Sequence, residues 1–124
     1  MSKLLSASVM CADLMNMEKS VRELEKAGID YLHVDIMDGS FVPNIALGTC
    51  FTEQLKGSHI PMDFHFMIDA PERKLDWFAF GEGDYVSVHY EASVHLHRAL
   101  SMIRARGGKP MLALNPGTPL SVIE

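Results

Sequence analysis

Cysteine is scarce in this chain, long apolar runs are missing, and basic residues are outnumbered. Cys11 and Cys50 are the only two cysteines in 124 residues. Two are too few for a disulfide framework, so reduced thiols, buried or incidental, are expected in a cytoplasmic protein. No apolar stretch approaches the roughly 20 residues of a membrane span. Met1-Ser2-Lys3 leads directly into a short strand-like run, without the apolar region or cleavage site of a secretion signal. Eleven Lys and Arg face 16 Asp and Glu, a formal net charge of -5. That balance, with no basic cluster, argues against nucleic acid or an anionic membrane as a partner. Internal repeats, low-complexity segments and linkers are also missing, so residues 1–124 are expected to form one unit around one core.

What is present is alternation. Leu4–Met10, Tyr31–Met37, Met62–Met67, Tyr85–His89 and Lys109–Leu114 read as strands. Helices are expected between them. Ala12–Ala27 carries Leu14, Met17, Val21 and Leu24 at helical spacing and ends at Gly28. A second helix spans about Gly48 to Lys56, after a Gly/Pro/Asn loop. A third opens at Pro71 and carries Leu75, Phe78 and Ala79. Ser93–Arg106 closes at Gly107-Gly108, and Thr118-Pro119 opens a fifth as cap and first residue. Five β units alternating with helices predict a parallel sheet with right-handed crossovers. The sequence stops about two turns into that fifth helix, near the midpoint of a (β/α)8 barrel of ~250 residues. The expected fold is therefore α/β, about the first half of such a barrel.

Side chains at i and i+2 of a strand share a face. His33, Asp35 and Met37 thus point one way, and Leu32, Val34 and Ile36 the other. His65 and Met67 oppose Phe64 and Phe66 in the same manner. Ser8 and Met10, Ser87 and His89, Ala113 and Asn115 fall on the polar parity, while Leu5, Ala7, Val9, Val86, Val88, Leu112 and Leu114 fall on the apolar one. The polar members lie at the C-terminal ends of their strands, where barrels carry their sites. A single strand histidine is more often a hydrogen-bonded core residue. Two histidines and an aspartate at matching positions of neighbouring strands instead point to a metal or catalytic site, because unpartnered polar groups there would be costly. Imidazole and carboxylate suit a divalent Zn, Fe, Mn or Co ion. Met37 and Met67 read as core filler or as a polarizable pocket lining. His59, His95 and His97 read as surface residues, and Asp13 as a cap of the first helix or a support for Ser8.

Several blocks resemble one family: Ser8-Val9-Met10-Cys11-Ala12-Asp13, His33-Val34-Asp35-Ile36-Met37-Asp38-Gly39-Ser40-Phe41-Val42-Pro43-Asn44, His65-Phe66-Met67-Ile68 with Pro71-Glu72, His89-Tyr90-Glu91-Ala92, and Leu114-Asn115-Pro116-Gly117-Thr118-Pro119. In order and content they are similar to the ribulose-phosphate 3-epimerases, a family that includes the allulose-6-phosphate epimerases. The resemblance implies that His33, Asp35 and His65 are three of four metal ligands. It implies that Asp35 is also one of two acid/base carboxylates at C3 of a sugar phosphate. Ser8 matches a substrate-contacting serine, Met37 and Met67 match methionines beside the enediolate, and His89 and Asn115 line the same pocket. Phe66 stands where Leu is common, and Gly81-Glu82-Gly83-Asp84 where Ala-Gly-Ala-Asp is usual. Neither change touches the ligand set.

In that family the second catalytic Asp, which is the fourth ligand, and the phosphate-binding glycine loops come from the later half of the barrel. A polypeptide of these residues alone is therefore expected to turn over poorly, or to be an inactive half-barrel that holds metal and forms homo-oligomers through its open sheet edges.

Overall fold

The structure, a computed structural model, describes residues 3–124. Met1 and Ser2, on which the reading of the N-terminus partly rests, lie outside the described residues. Five parallel strands run in sequence order across one sheet: β1 (Ser6–Ser8), β2 (Tyr31–Asp38), then β4 (Met62–Met67), β5 (Tyr85–His89) and β6 (Lys109–Ala113). Every crossover steps to the next neighbour in the same direction. With right-handed connections this places all helices on one face, and the sheet curls as part of a barrel instead of lying open between two helical layers. Among the described residues, β1 and β6 are paired on one side only.

The apolar parity builds the helix-facing core. Leu32, Val34, Phe64, Phe66, Val86 and Val88 have no solvent exposure. Phe64 and Phe66, two residues apart on one strand, stack with ring centroids 5.6 Å apart, and Phe78 meets Phe66 edge-on at 4.9 Å. Against this layer lies α1 (Met17–Ala27), whose Val21 is buried and whose Met17 and Leu24 flank it. It ends at Gly28, where φ is +73°, and the Gly28 N–H returns to the carbonyls of Glu25 and Leu24. Glycine adopts this left-handed conformation without the steric cost of a Cβ. Next come α2 (Thr49–Leu55), burying Thr52 and Leu55, and α3 (Leu96–Ala105), burying Ala99 and Ile103. None of these helices is long and apolar enough to cross a membrane.

Several expectations are corrected. The segment after β4 is not a helix but two 3₁₀ turns, Pro71–Arg73 and Leu75–Trp77. The Arg106 guanidinium donates to the carbonyls of Leu75, Phe78 and Phe80, groups that a continuous helix would pair within itself. The first helix begins at Met17, not Ala12: Val9–Cys11 and Leu14–Asn16 are 3₁₀ turns, and Asp13 caps the second by accepting the Met15 N–H. It does not support Ser8. β1 closes at Ser8, so strand parity does not extend to Val9 and Met10, and Leu5, just before the strand, is 63% exposed instead of core. The loop after β2 contains a short strand, β3 (Ile45–Ala46), antiparallel to Met37–Asp38. After β6, Leu120–Ile123 is one 3₁₀ turn with Pro119 at its cap position. Both cysteines are free and exposed, which excludes the buried alternative. His59, His95 and His97 are exposed as expected.

Candidate functional site

Register brings the polar parity together. In the parallel ladders Ser8 lies opposite His33, and Asp35 opposite His65. Neighbouring strands are roughly 4.8 Å apart, so side chains at matched positions on one face meet. Asp35 is at the centre. Its Oδ1 lies 3.2 Å from His33 Nε2 and 3.3 Å from His65 Nδ1, and its Oδ2 accepts a 2.9 Å hydrogen bond from the Ser8 hydroxyl. One ligand atom from each of His33, Asp35 and His65 fits within a 4.8 Å span, the spacing of a shared cation.

The outer contacts of the two imidazoles decide how they fit an ion. His33 Nδ1 is 2.7 Å from Asp63 Oδ2, which also accepts from the Ser6 hydroxyl at 2.8 Å. A neutral His33 that donates from Nδ1 to this carboxylate leaves its Nε2 lone pair aimed at Asp35 Oδ1, an acceptor facing an acceptor. A cation between them resolves that conflict, and a carboxylate behind a histidine is the usual outer partner of a metal ligand. The donor set therefore fits a divalent ion. Asp63 raises the His33 imidazole above its ordinary pKa, against the opposing effect of burial. Burial pushes His65 down, and the neighbouring His89 adds to that. Burial works against the ionised Asp63 carboxyl, yet hydrogen bonds from His33 and Ser6 hold it below its usual range.

His89 joins from the next strand. Its Nε2 is 2.8 Å from His65 Nε2, the rings stack at 5.0 Å, and the Phe41 ring covers it at 4.9 Å. Beyond it, Glu91 Oε2 is 3.4 Å from His89 Nδ1, while Glu91 Oε1 accepts from the Asn115 backbone N–H at 2.6 Å and from the Thr118 hydroxyl. Against the effect of burial, these bonds hold the Glu91 carboxyl down at about 2. Met37 and Met67 lie opposite each other in the ladder and are half-buried. Asn115 is exposed, and its backbone N–H is what engages Glu91.

The Ribulose-phosphate 3 epimerase family profile matches residues 4–124. This chain belongs to the ribulose-phosphate 3-epimerase family. It is 42% identical over 118 residues to the ribulose-phosphate 3-epimerase of Bacillus subtilis (strain 168), covering 94% of this chain and 54% of that one. It is 42% identical over 124 residues to the chloroplastic ribulose-5-phosphate-3-epimerase of Arabidopsis thaliana, with coverages of 98% and 44%. The Methanocaldococcus jannaschii ribulose-phosphate 3-epimerase is 38% identical over 123 residues, with coverages of 97% and 51%. The chain thus spans about half the length of the curated relatives it matches.

Of the residues singled out from the sequence, Ser8, His33 and His65 meet around the Asp35 carboxylate, and His89 attaches to this cluster through His65. Asp63 and Glu91 were not singled out. Asp63 shares the parity of His65 and was open to the same argument. Glu91 sits in a 3₁₀ turn beyond the end of β5, where strand alternation gives no signal.

Proposed function

We propose that these residues form the metal-holding and proton-abstracting part of a ketose-phosphate 3-epimerase, acting through an enediolate on ribulose 5-phosphate and xylulose 5-phosphate or on allulose 6-phosphate. The observation that carries this reading is the Asp35 carboxylate shared by two imidazoles whose other nitrogens are already engaged. His33, Asp35 and His65 would hold a divalent Zn, Fe, Mn or Co ion, whose charge polarises the substrate's C2 carbonyl and C3 hydroxyl oxygens. Asp35 takes the C3 proton as general base, and the Ser8 hydroxyl fixes the carboxylate's orientation from the side away from the imidazoles. Met37 and Met67 line the pocket beside the reacting carbons. His89 and Asn115 border it on the β5 and β6 side.

A second reading, a non-catalytic half-barrel that binds metal and self-associates, draws support from the strand edges of β1 and β6, each paired on one side among the described residues. One experiment separates the two. Ribulose 5-phosphate is incubated in D2O with the metal-loaded protein, and C3 deuterium incorporation and xylulose 5-phosphate are followed by NMR. Deuterium exchange at C3, reduced ~10²–10⁴-fold in Asp35→Asn, is the expected result. Undiminished exchange in that variant sinks the assignment of Asp35. Metal binding without exchange, together with a dimer in sedimentation, favours the second reading.

A further inference from the structure

We infer that Glu91 is a positioning residue that sets the proton arrangement of the His89–His65 pair, so that His65 presents a bare Nδ1 to the cluster. This inference rests on the metal reading above and deepens it.

His65 Nε2 and His89 Nε2 are 2.8 Å apart, so between neutral rings one of the two nitrogens carries the hydrogen and the other accepts it. Two arrangements satisfy this contact. In the first, His65 is protonated at Nε2 and bare at Nδ1, 3.3 Å from Asp35 Oδ1. His89 Nε2 then accepts, and His89 carries its hydrogen on Nδ1. In the second, His89 donates from Nε2. His89 Nδ1 is then bare, and His65 carries its hydrogen on Nδ1, where it would have to be displaced before an ion could bind.

The surroundings of His89 Nδ1 choose between them. That nitrogen is buried and makes no hydrogen bond of normal geometry, and the Glu91 carboxylate oxygen 3.4 Å away faces it. Each arrangement leaves one bare Nδ1 against a carboxylate, His65 against Asp35 Oδ1 at 3.3 Å in the first and His89 against Glu91 Oε2 at 3.4 Å in the second. Of the two nitrogens it is that of His89 that is sealed from water, where the conflict costs more. An Nδ1–H places a donor there instead. Glu91 is itself fixed, because its other oxygen is occupied by the Asn115 N–H and the Thr118 hydroxyl of the loop after β6. The preference passes from that loop through Glu91 and His89 to His65, and it exists before any ion arrives. Asp63 acts in the same way on His33, so each histidine of the cluster is oriented from behind by a carboxylate, one directly and one through a second imidazole.

The test uses the full chain labelled with ¹⁵N-histidine. Long-range ¹H–¹⁵N spectra of the metal-free protein report which ring nitrogen is protonated, and calorimetric titration with Co²⁺ reports affinity. His89 protonated at Nδ1 and His65 at Nε2 is the expected spectrum. Glu91→Gln can turn its amide N–H toward His89 Nδ1, so His89 should move to the Nε2–H form, and Co²⁺ affinity should fall ~10–100-fold. Thr118→Val loosens the clasp on Glu91 but leaves the carboxylate facing His89. It should keep the His89 protonation pattern and lose less affinity. His89 protonated at Nε2 in the unsubstituted protein overturns the inference. So does equal loss of affinity in both variants with an unchanged spectrum. If the unsubstituted protein takes up no Co²⁺, the metal reading fails, and the metal-free spectrum still decides the proton arrangement by itself.

Discussion

On the helix-facing side of β2 and β4, Val34, Phe64 and Phe66 are withdrawn from solvent and pack among other apolar side chains. On the other side of the same strands, the side chains of His33, Asp35 and His65 retain 27%, 12% and 23% of their accessible surface and meet chiefly polar atoms. The two faces share backbone, register and ladder hydrogen bonds, yet they answer to different physics. The first face is held by non-directional burial, where volume decides. The second is held by directed contacts at 2.7–3.3 Å, where atom type and proton position decide. Stability and binding should therefore be separable by substitutions only one residue apart.

The largest effect belongs to the apolar face. Phe66 is wholly buried against Phe64, Phe78 and Phe80. Phe66→Ala should cost ~3–5 kcal/mol, through lost transfer energy and the cavity left behind. That is a large part of the 5–15 kcal/mol typical of a folded domain. Its neighbour in sequence, His65→Ala, should abolish most divalent-ion binding while costing below about 1.5 kcal/mol, the net worth of a hydrogen bond. Urea denaturation of the metal-free proteins measures both. Comparable losses in the two variants would show that the two faces do not divide their tasks.

The same contrast explains what could be read from sequence. Period-two alternation sorted residues by face, and in the ladder His33, Asp35 and His65 do fall together. Alternation does not report depth along a strand, so it left unassigned the role of Asp63, one layer below His65. It also fails past the strand ends. Val9–Cys11 and Tyr90–Ala92 turn away as 3₁₀ segments, and the second of these carries Glu91 out to meet the loop after β6. Leu75, Phe78 and Ala79 repeat at three and four residues as in a helix. The carbonyls of Leu75, Phe78 and Phe80 accept instead from Arg106, 31 residues beyond Leu75, a long-range donor that no local pattern announces. β3 is only two residues long and has no periodicity to detect.

A middle-sized effect should sharpen the comparison within the polar face. Asp63→Asn keeps the size of the side chain and exchanges a carboxylate for a neutral amide behind His33. If Asp63 acts by orienting and polarising that imidazole, divalent-ion affinity should drop ~10–100-fold, the usual cost of losing an outer-shell carboxylate. Thermal stability should change little, because Ser6 can still donate to the remaining carbonyl oxygen. Titration calorimetry in parallel with a melting curve tests this. A large fall in melting temperature with unchanged ion affinity would make Asp63 a structural residue belonging, in effect, to the other face.

The smallest effect lies where the two faces meet, at the C-terminal end of β2. Asp38 accepts from Lys74 Nζ at 2.7 Å and from the backbone N–H groups of Ser40, Phe41 and Asp69. It thereby ties the loop after β2 to the end of β4. Burial alone would raise its pKa, but the Lys74 ammonium and the three N–H donors more than offset that and hold it well below the carboxylate range. A carboxyl depressed in the folded state contributes stability that is fully present above its unfolded value of about 3.9 and is lost as pH falls toward the lower folded value. Lys74→Met removes one of the four donors and the only charge among them. It should cost ~1 kcal/mol near neutral pH, as expected for a partly exposed ion pair. The unfolded chains titrate alike, so the difference between the two proteins should persist through the ordinary carboxylate range. It should shrink only as pH falls below that range toward the folded value, where protonation of Asp38 removes in the parent what the substitution has already removed. Denaturation midpoints measured through and below that range supply the test. A difference that stays constant with pH would mean that the Lys74 stem contributes through packing, and that Asp38 is held by its backbone donors alone.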